Sequence, residues 1–173
     1  MGLSDVFKSV SDFFESRHLD YAVIGAFALY GYGYVRATRD IDFVTRIGNQ
    51  SAIKQFLDTL GFETTHCSSA FSNHIHPVGS LAVDIMYVDG TTADDIFAAT
   101  NRKLIFKDVV VPIVSAEHLI AMKLFAAGSS PQRKLKDLAD VRELIKNAAV
   151  DMAFVKKCFI KNGLEAYYDD TVG

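Results

Sequence analysis

Residues 36–44, Arg-Ala-Thr-Arg-Asp-Ile-Asp-Phe-Val, place two aspartates one residue apart in a segment that otherwise reads as a buried strand. Successive strand side chains point to opposite faces, so Asp40 and Asp42 share one face while Ile41 and Phe43 pack on the other. Two carboxylates at short range repel each other unless a cation lies between them. Mg²⁺ suits such a pair, because it takes hard oxygen ligands and fills its remaining positions with water and substrate phosphates. The stretch therefore predicts a metal-binding strand.

A third aspartate stands in a later apolar strand. Residues 81–88 read Leu-Ala-Val-Asp-Ile-Met-Tyr-Val, with Asp84 near the middle. If this strand lies beside the first, Asp84 joins Asp40 and Asp42. Three carboxylates would suit one or two Mg²⁺ ions, one holding a triphosphate and the other lowering the pKa of an attacking hydroxyl. The alternative is that these aspartates stand at strand ends and cap turns.

Gly25 follows a short apolar run, 21–24, and precedes a predicted helix. A turn of this kind presents backbone N–H groups at a helix N-terminus, where a phosphate is stabilised. The missing side chain would let that phosphate approach the backbone. Gly31 and Gly33 do not extend the pattern to a dinucleotide fingerprint, because no strand precedes them and Arg36 stands where the third glycine would be.

Composition and length limit the class of protein. The 173 residues, 50% of them hydrophobic, suffice for one domain or for one with a small helical appendage. A net charge of −3 gives no overall attraction to nucleic acid or to an anionic membrane. Cys67 and Cys158 lack CxxC spacing and indicate a reducing, cytoplasmic setting. No apolar segment is long enough to span a bilayer and the first residues lack a signal core, so no membrane partner is expected.

Hydrophobic periodicity predicts a mixed α/β (α+β) core over 1–114, followed by a helical region over 115–173. In the core, helices are expected over 4–17, 26–32, 49–60 and 91–100. Strands are expected over 21–24, 40–46, 62–67, 72–77, 80–88, 103–106 and 109–114, with turns at Val78-Gly79 and Lys107-Asp108. The later helices are expected over 116–127, 133–147 and 152–162, with a break at Gly128–Pro131 and a frayed tail from 167 to 173.

These motifs resemble the minimal pattern of the nucleotidyltransferase superfamily, which has a DNA polymerase beta-like fold. That pattern is a glycine pair, a spacer, an Asp-x-Asp and an acid on a later strand. The matching residues here are Gly25-Ala26, Asp40-Ile-Asp42 and Asp84. The resemblance implies a nucleotidyltransferase-like mixed sheet flanked by helices.

A second set of residues is similar to the branch of abortive-infection toxin nucleotidyltransferases, part of toxin–antitoxin pairs. It comprises Arg36-x-Thr38-x-Asp40-x-Asp42, Lys123 and the run Arg133-Lys-Leu-Lys-Asp137-Leu-Ala-Asp140, so the resemblance spans about residues 21–145.

The resemblance also implies roles for individual residues. Asp40 and Asp42 would bind catalytic Mg²⁺, and Asp84 would bind metal or act as the base. The NTP would be bound by Gly25, Ala26, Arg36, Thr38, Lys123 and Asp137. One departure is Ala26, because a serine there would offer a hydroxyl to the γ-phosphate and alanine offers only its N–H. This change predicts weaker catalysis or an altered choice of nucleotide, with the metal site untouched.

Lys123 stands out for a reason independent of the resemblance. It is the lone charge in the run 119–127, Leu-Ile-Ala-Met-Lys-Leu-Phe-Ala-Ala, which is apolar on every other face and therefore predicts a buried helix. A buried ammonium needs a partner. That partner is either Asp137 or Asp140 in a structural ion pair, or a triphosphate.

Other polar clusters give weaker signals. His74 and His76 share a strand face and would suit zinc, but no third ligand is spaced to join them, so ordinary polar alternation is the preferred interpretation. Basic residues on the late helices form either a solvated face or a groove for a tRNA backbone; they are Lys134, Lys136, Lys156, Lys157 and Lys161.

The sequence thus predicts a Mg²⁺-dependent nucleotidyltransferase that moves an NMP, for example from ATP, to a hydroxyl and releases pyrophosphate. The acceptor is an RNA such as tRNA, a protein or a small molecule, and the protein is a candidate toxin with an antitoxin partner. The alternative is a catalytically silent nucleotide-binding or interaction module, which Ala26 favours and the three aspartates oppose.

Overall fold

The fold is described from a computed structural model that covers residues 2–106 and 108–173. The core helices are α1 (Leu3–Ser16), α2 (Gly25–Gly31), α3 (Gln50–Thr59) and α4 (Gly90–Ala98). The strands are β1 (Tyr21–Val23), β2 (Asp40–Arg46), β3 (Glu63–Cys67), β4 (Phe71–Ile75), β5 (Ala82–Val88), β6 (Asn101–Phe106) and β7 (Val109–Ile113). The later helices are α5 (Ala116–Ser129), α6 (Pro131–Asn147), α7 (Met152–Lys161) and α8 (Tyr168–Val172). The predicted mixed α/β class is confirmed.

Within the described residues, the seven strands form one mixed sheet in the order β3-β4-β5-β2-β1-β7-β6. The two central strands, β2 and β5, run parallel and pair along their whole length from Asp40↔Ala82 to Arg46↔Val88. β1 pairs antiparallel with β2 and parallel with β7. The remaining neighbours, β3 with β4, β4 with β5 and β6 with β7, are antiparallel hairpins. The hairpin expected around Val78-Gly79 joins β4 to β5.

Aromatic side chains fix α1 on one face of this sheet. The ring of Phe7 lies 5.7 Å from that of Phe43 on β2, and the ring of Phe14 lies 5.6 Å from it. Phe14 also stacks on Tyr21 of β1, with 4.6 Å between ring centroids. Phe7, Phe14 and Phe43 are fully buried. Burying aromatic residues of this size is a major contribution to the stability of the core.

The alternation of β2 places its acids on the opposite face from this aromatic core. Ile41 and Phe43 are fully buried, whereas Asp42 is half-buried and Asp40 is exposed. A strand whose side chains alternate in this way can contribute to the core on one side and to a polar site on the other.

Contacts in the described part of the chain divide it into two compact units. The first holds the sheet and comprises the residues up to Gly31 and from Arg36 to Val114; the second comprises Tyr32–Val35 and Ser115–Gly173. In the second unit, α5 packs against α6 and α7, and α6 also packs against α8. In the described residues, no helix combines the length and the apolar character needed to cross a membrane.

Two helix boundaries in the helical region differ from the sequence-based expectation. The break predicted within 128–131 lies at Ser130, because α5 continues to Ser129 and α6 begins at Pro131 rather than at residue 133. Proline is well suited to a first helical turn, because its missing N–H has no partner there in any case. Gly128 instead allows a close approach, since a Cβ on it would lie 2.7 Å from the backbone oxygen of Asn162.

The tail is ordered where fraying was expected. Residues Tyr168–Val172 form α8, and Thr171 is buried with its hydroxyl donating to the Tyr167 carbonyl at 2.7 Å. The predicted Lys107-Asp108 turn includes Lys107, which lies outside the described residues.

His74 is buried in the sheet. Its two ring nitrogens lie within hydrogen-bond distance of Thr64 Oγ1, at 3.1 Å, and of Ser72 Oγ, at 2.8 Å. Burial, with a smaller contribution from the charge of Lys54, lowers the pKa of His74 from 6.5 to about 4. These contacts give His74 a role in the core.

We expect the lowered pKa of His74 to make the fold less stable in mild acid. The unfolded chain takes up a proton on this histidine as the pH falls through 6.5, whereas the folded chain does so only near pH 4. The stability due to this group is therefore complete above pH 6.5 and is lost between pH 6.5 and 4, by up to about 3 kcal/mol. Urea unfolding at several pH values measures the slope. His74→Gln should flatten this slope and His76→Gln should leave it unchanged; equal slopes in all three proteins would contradict the assignment.

Candidate functional site

Two of the predicted acidic residues lie side by side at the centre of the sheet. Asp42 on β2 and Asp84 on β5 are register partners on adjacent parallel strands, and both are half-buried. Neighbouring strands are ~4.8 Å apart and partners in register project to the same face. Asp40 lies two residues before Asp42 on that face, in register with Ala82, and is exposed.

The donor chemistry of this pair fits a hard divalent cation, since carboxylate oxygens are what Mg²⁺ takes from proteins. Among the residues that the structure describes, however, no group of three or more His, Cys, Asp or Glu side chains is arranged as a ready metal site. The structure thus brings Asp42 and Asp84 together without grouping Asp40 with them as a third ligand. Metal binding by the three aspartates stays a prediction.

Gly25 lies directly against the Asp42 side chain. Val23 is in register with Phe43, and the next residue, Ile24, donates its N–H to the carbonyl of Asp42 at 3.0 Å. Gly25 follows with φ +64°, and a Cβ on it would lie 2.6 Å from Asp42 Cγ. Real Cβ atoms do not come so close to another heavy atom. In the structure this glycine makes room for a carboxylate, and its predicted contact with a phosphate stays a prediction.

A residue that sequence reasoning missed stands on the other side of Asp84. Asn73 on β4 is in register with Asp84, and its Nδ2 donates a hydrogen bond to Asp84 Oδ1 at 2.7 Å. Asp42, Asp84 and Asn73 therefore form a row across three adjacent strands, which we call the polar row. A lone asparagine in the short strand Phe71–Ile75 gives no sequence signal, and only the pairing of β4 with β5 reveals it.

The remaining nucleotide-binding candidates of the first unit lie near the same strand. Ala26 is buried in the first turn of α2, a helix of 7 residues. Arg36 is half-buried in the segment before β2. The Thr38 hydroxyl lies 3.3 Å from both the backbone N–H and the carbonyl of Asp40, so it shapes the entry to the strand.

Lys123 has protein partners within the second unit. Its Nζ lies 2.6 Å from Asp140 Oδ2 and 3.1 Å from Asp137 Oδ1, and all three side chains are buried. Arg133 Nε lies 3.2 Å from the other oxygen of Asp137. Of the two partners that the sequence left open for Lys123, these contacts favour the structural ion pair. Its contact with a nucleotide, like that of Asp137, stays a prediction.

No protein-family profile and no curated protein sequence matches this chain. Solved structures match its fold. The antibiotic-resistance factor ANT(2'')-Ia superposes with a TM-score of 0.71 at 16% identity, over 98% of this chain and 94% of that one. The lincosamide antibiotic adenylyltransferase LnuA, solved with lincomycin bound, gives a TM-score of 0.60 at 16% identity, over 86% and 99%. A nucleotidyltransferase-like protein from Paracoccidioides brasiliensis gives 0.62 at 17%, over 96% and 89%. The fold is that of the nucleotidyltransferases.

We expect Gly25→Ala to displace Asp42 in addition to straining the backbone. A matched control is Gly163→Ala, because Gly163 has nearly the same φ, +66°, and a Cβ there would meet nothing within 4 Å. Both variants should lose about 1–2 kcal/mol of stability from the left-handed conformation. Only Gly25→Ala should weaken Mn²⁺ binding in a titration followed by electron paramagnetic resonance. Equal Mn²⁺ affinity in the two variants would contradict the packing of Asp42 against Gly25.

We expect Lys123→Met to destabilise the protein by about 3–5 kcal/mol, because it removes the buried cation that Asp137 and Asp140 share. The control is Lys146→Met, which removes an exposed lysine 3.2 Å from Glu143 and should cost less than ~0.5 kcal/mol. Urea unfolding of both variants measures the difference. If Lys123→Met unfolds at the wild-type midpoint, the ion pair is not what Lys123 provides.

Proposed function

We propose that this protein is a nucleotidyltransferase that moves an NMP from an NTP to an acceptor hydroxyl and releases pyrophosphate. The observation that carries the proposal is the register of Asp42 with Asp84 at the centre of a nucleotidyltransferase fold. Placing two half-buried carboxylates side by side on neighbouring core strands lowers the stability of the fold. Transfer of a phosphoryl group needs cations close to the phosphates, and two adjacent carboxylates can hold such cations.

The proposed transfer is a displacement at phosphorus. The acceptor oxygen forms a bond to the α-phosphorus, and the bond from that phosphorus to the oxygen bridging to the β-phosphate breaks. Pyrophosphate leaves with the electron pair of the broken bond. The proton of the acceptor hydroxyl passes to the carboxylate of Asp84, which is the base in this scheme.

The residues that would hold a divalent cation are Asp42 and Asp84, with Asp40 as a third candidate on the same strand face. Bound there, Mg²⁺ would neutralise phosphate charge and favour ionisation of the attacking hydroxyl. We assign Lys123 to the ion pair described above, which leaves Arg36 as the candidate cation of the first unit for the phosphates.

The proteins of the same fold suggest which donor and which acceptor to test first. LnuA is named an adenylyltransferase and was solved with lincomycin, and ANT(2'')-Ia was solved with adenylyl-2''-tobramycin. We therefore propose ATP as the first donor and the hydroxyl of a small molecule as the first acceptor. An RNA or protein acceptor, and a toxin role with an antitoxin partner, rest only on the resemblance carried by residues 36–42, Lys123 and 133–140.

A second candidate function is a silent module that binds a nucleotide without transferring it. Two observations favour it: Ala26 lacks a hydroxyl for the γ-phosphate, and the described residues contain no ready group of three acidic ligands. This candidate predicts NTP binding without any transfer.

The experiment is incubation of the protein with α-labelled ATP, GTP, CTP or UTP and Mg²⁺ in the presence of tobramycin, lincomycin or mixed tRNA. We expect label on one class of acceptor, and we expect Asp42→Asn and Asp84→Asn to lower kcat at least about 100-fold, because each removes a carboxylate from the reacting centre. Asp58→Asn is the control, since Asp58 is an exposed acid on α3.

Each outcome separates the candidates. Transfer that survives in Asp58→Asn and disappears in the other two variants supports the enzyme. NTP binding without transfer to any acceptor supports the silent module, and transfer that is unaffected by Asp42→Asn would contradict the assignment of the site.

A further inference from the structure

Asn73 is the only member of the polar row without a charge, and it touches Asp84 directly. Its Nδ2 donates to Asp84 Oδ1 at 2.7 Å, a short distance typical of a hydrogen bond to an ionised acceptor. The two residues are register partners on antiparallel strands, so the backbone holds their side chains on the same face. Asn73 is half-buried, which limits competition from water.

The orientation of the amide follows from the chemistry of the pair. An ionised carboxylate only accepts hydrogen bonds, so the NH₂ side of the amide must face Asp84 and the amide oxygen must point away. An aspartate at position 73 would instead place a third carboxylate in the row. Asparagine at this position therefore adds a donor without adding charge.

The hydrogen bond restricts the one soft torsion of Asp84. The rotation of an aspartate carboxylate about its Cβ–Cγ bond is broad and weakly restrained. With Oδ1 anchored towards β4, the plane of the carboxylate and the direction of Oδ2 are set before a substrate arrives. Groups one step removed from a reacting centre commonly act in this way, by orienting the ligands or bases that do the chemistry.

We propose that Asn73 is a positioning residue that orients Asp84 for metal binding and for accepting the proton of the acceptor hydroxyl. The inference rests on the proposed function for its kinetic consequence, whereas its consequence for metal binding can be measured without turnover. Asn73 contacts neither substrate nor reacting atoms in this scheme, so its effect is transmitted through Asp84 alone.

The test compares Asn73→Leu, which keeps the approximate size and removes the donor, with Asn73→Gln, which keeps an amide donor one methylene longer. The matched control is Asn49→Leu, because Asn49 is another half-buried asparagine whose Nδ2 donates at 2.9 Å, in this case to Thr45 Oγ1. All variants are measured in the intact chain for urea midpoint, for Mn²⁺ affinity by electron paramagnetic resonance, and for kcat and KM with the best acceptor.

We expect Asn73→Leu to weaken Mn²⁺ affinity and to lower kcat, each about 10–100-fold, with KM for the NTP changed less than about threefold because the groups that bind the nucleotide remain in place. Asn73→Gln should retain more of both properties. Asn49→Leu should match Asn73→Leu in its effect on the urea midpoint and should leave Mn²⁺ affinity and kcat at wild-type values.

The outcomes separate this inference from the proposed function. If the wild type transfers NMP and Asn73→Leu changes only the urea midpoint, the inference is overturned and the proposed function stands. If the wild type transfers nothing, Mn²⁺ affinity decides: a loss in Asn73→Leu supports the positioning role, and equal affinity, or no Mn²⁺ binding by the wild type, overturns it.

Discussion

The site depends on the close approach of the Asp42 carboxylate to the backbone at Gly25. The turn after β1 brings Gly25 against the Asp42 side chain, which takes the space of a side chain at residue 25. The Ile24 N–H bonded to the Asp42 carbonyl fixes the same contact from the backbone side. This contact links the turn, the carboxylate and the identity of the glycine, because a Cβ at residue 25 would collide with the Asp42 carboxylate.

The alternation of β2 joins this site to the stability of the sheet. Phe43 is fully buried against α1, and the residue before it, Asp42, lies on the other face in register with Asp84. A one-residue shift of this strand would bury the carboxylates and expose the aromatic core, so the hydrophobic pattern that fixes the register also fixes the acids. The aromatic packing of α1 therefore supports the geometry of the candidate site without touching it.

Much of the fold could be predicted from the sequence, because period-two and helical hydrophobic patterns identify elements locally. The apolar segments 40–46 and 80–88 predicted two strands that carry the acids Asp40, Asp42 and Asp84, and the structure shows these two strands as neighbours. What the sequence could not supply were features set by non-local packing. Asn73 acquires its partner only through the pairing of β4 with β5, and the short helix α8, which packs on α6, has no strong local pattern. The break predicted at 128–131 is present at Ser130, but the close approach of Gly128 to Asn162 leaves no local trace in the sequence. The sequence did not identify the partner of Lys123, because a buried lysine can pair either with carboxylates or with a phosphate.

The central claim is that Asp42 and Asp84 together form the metal-binding centre of a nucleotidyltransferase. The most direct measurement is a crystal structure with Mn²⁺ and a non-hydrolysable ATP analogue, in which the anomalous signal locates the metal. We expect a peak within about 2.0–2.3 Å of carboxylate oxygens of both Asp42 and Asp84, with phosphate oxygens completing the coordination. Metal held by the phosphates alone, with neither aspartate coordinated, would contradict it.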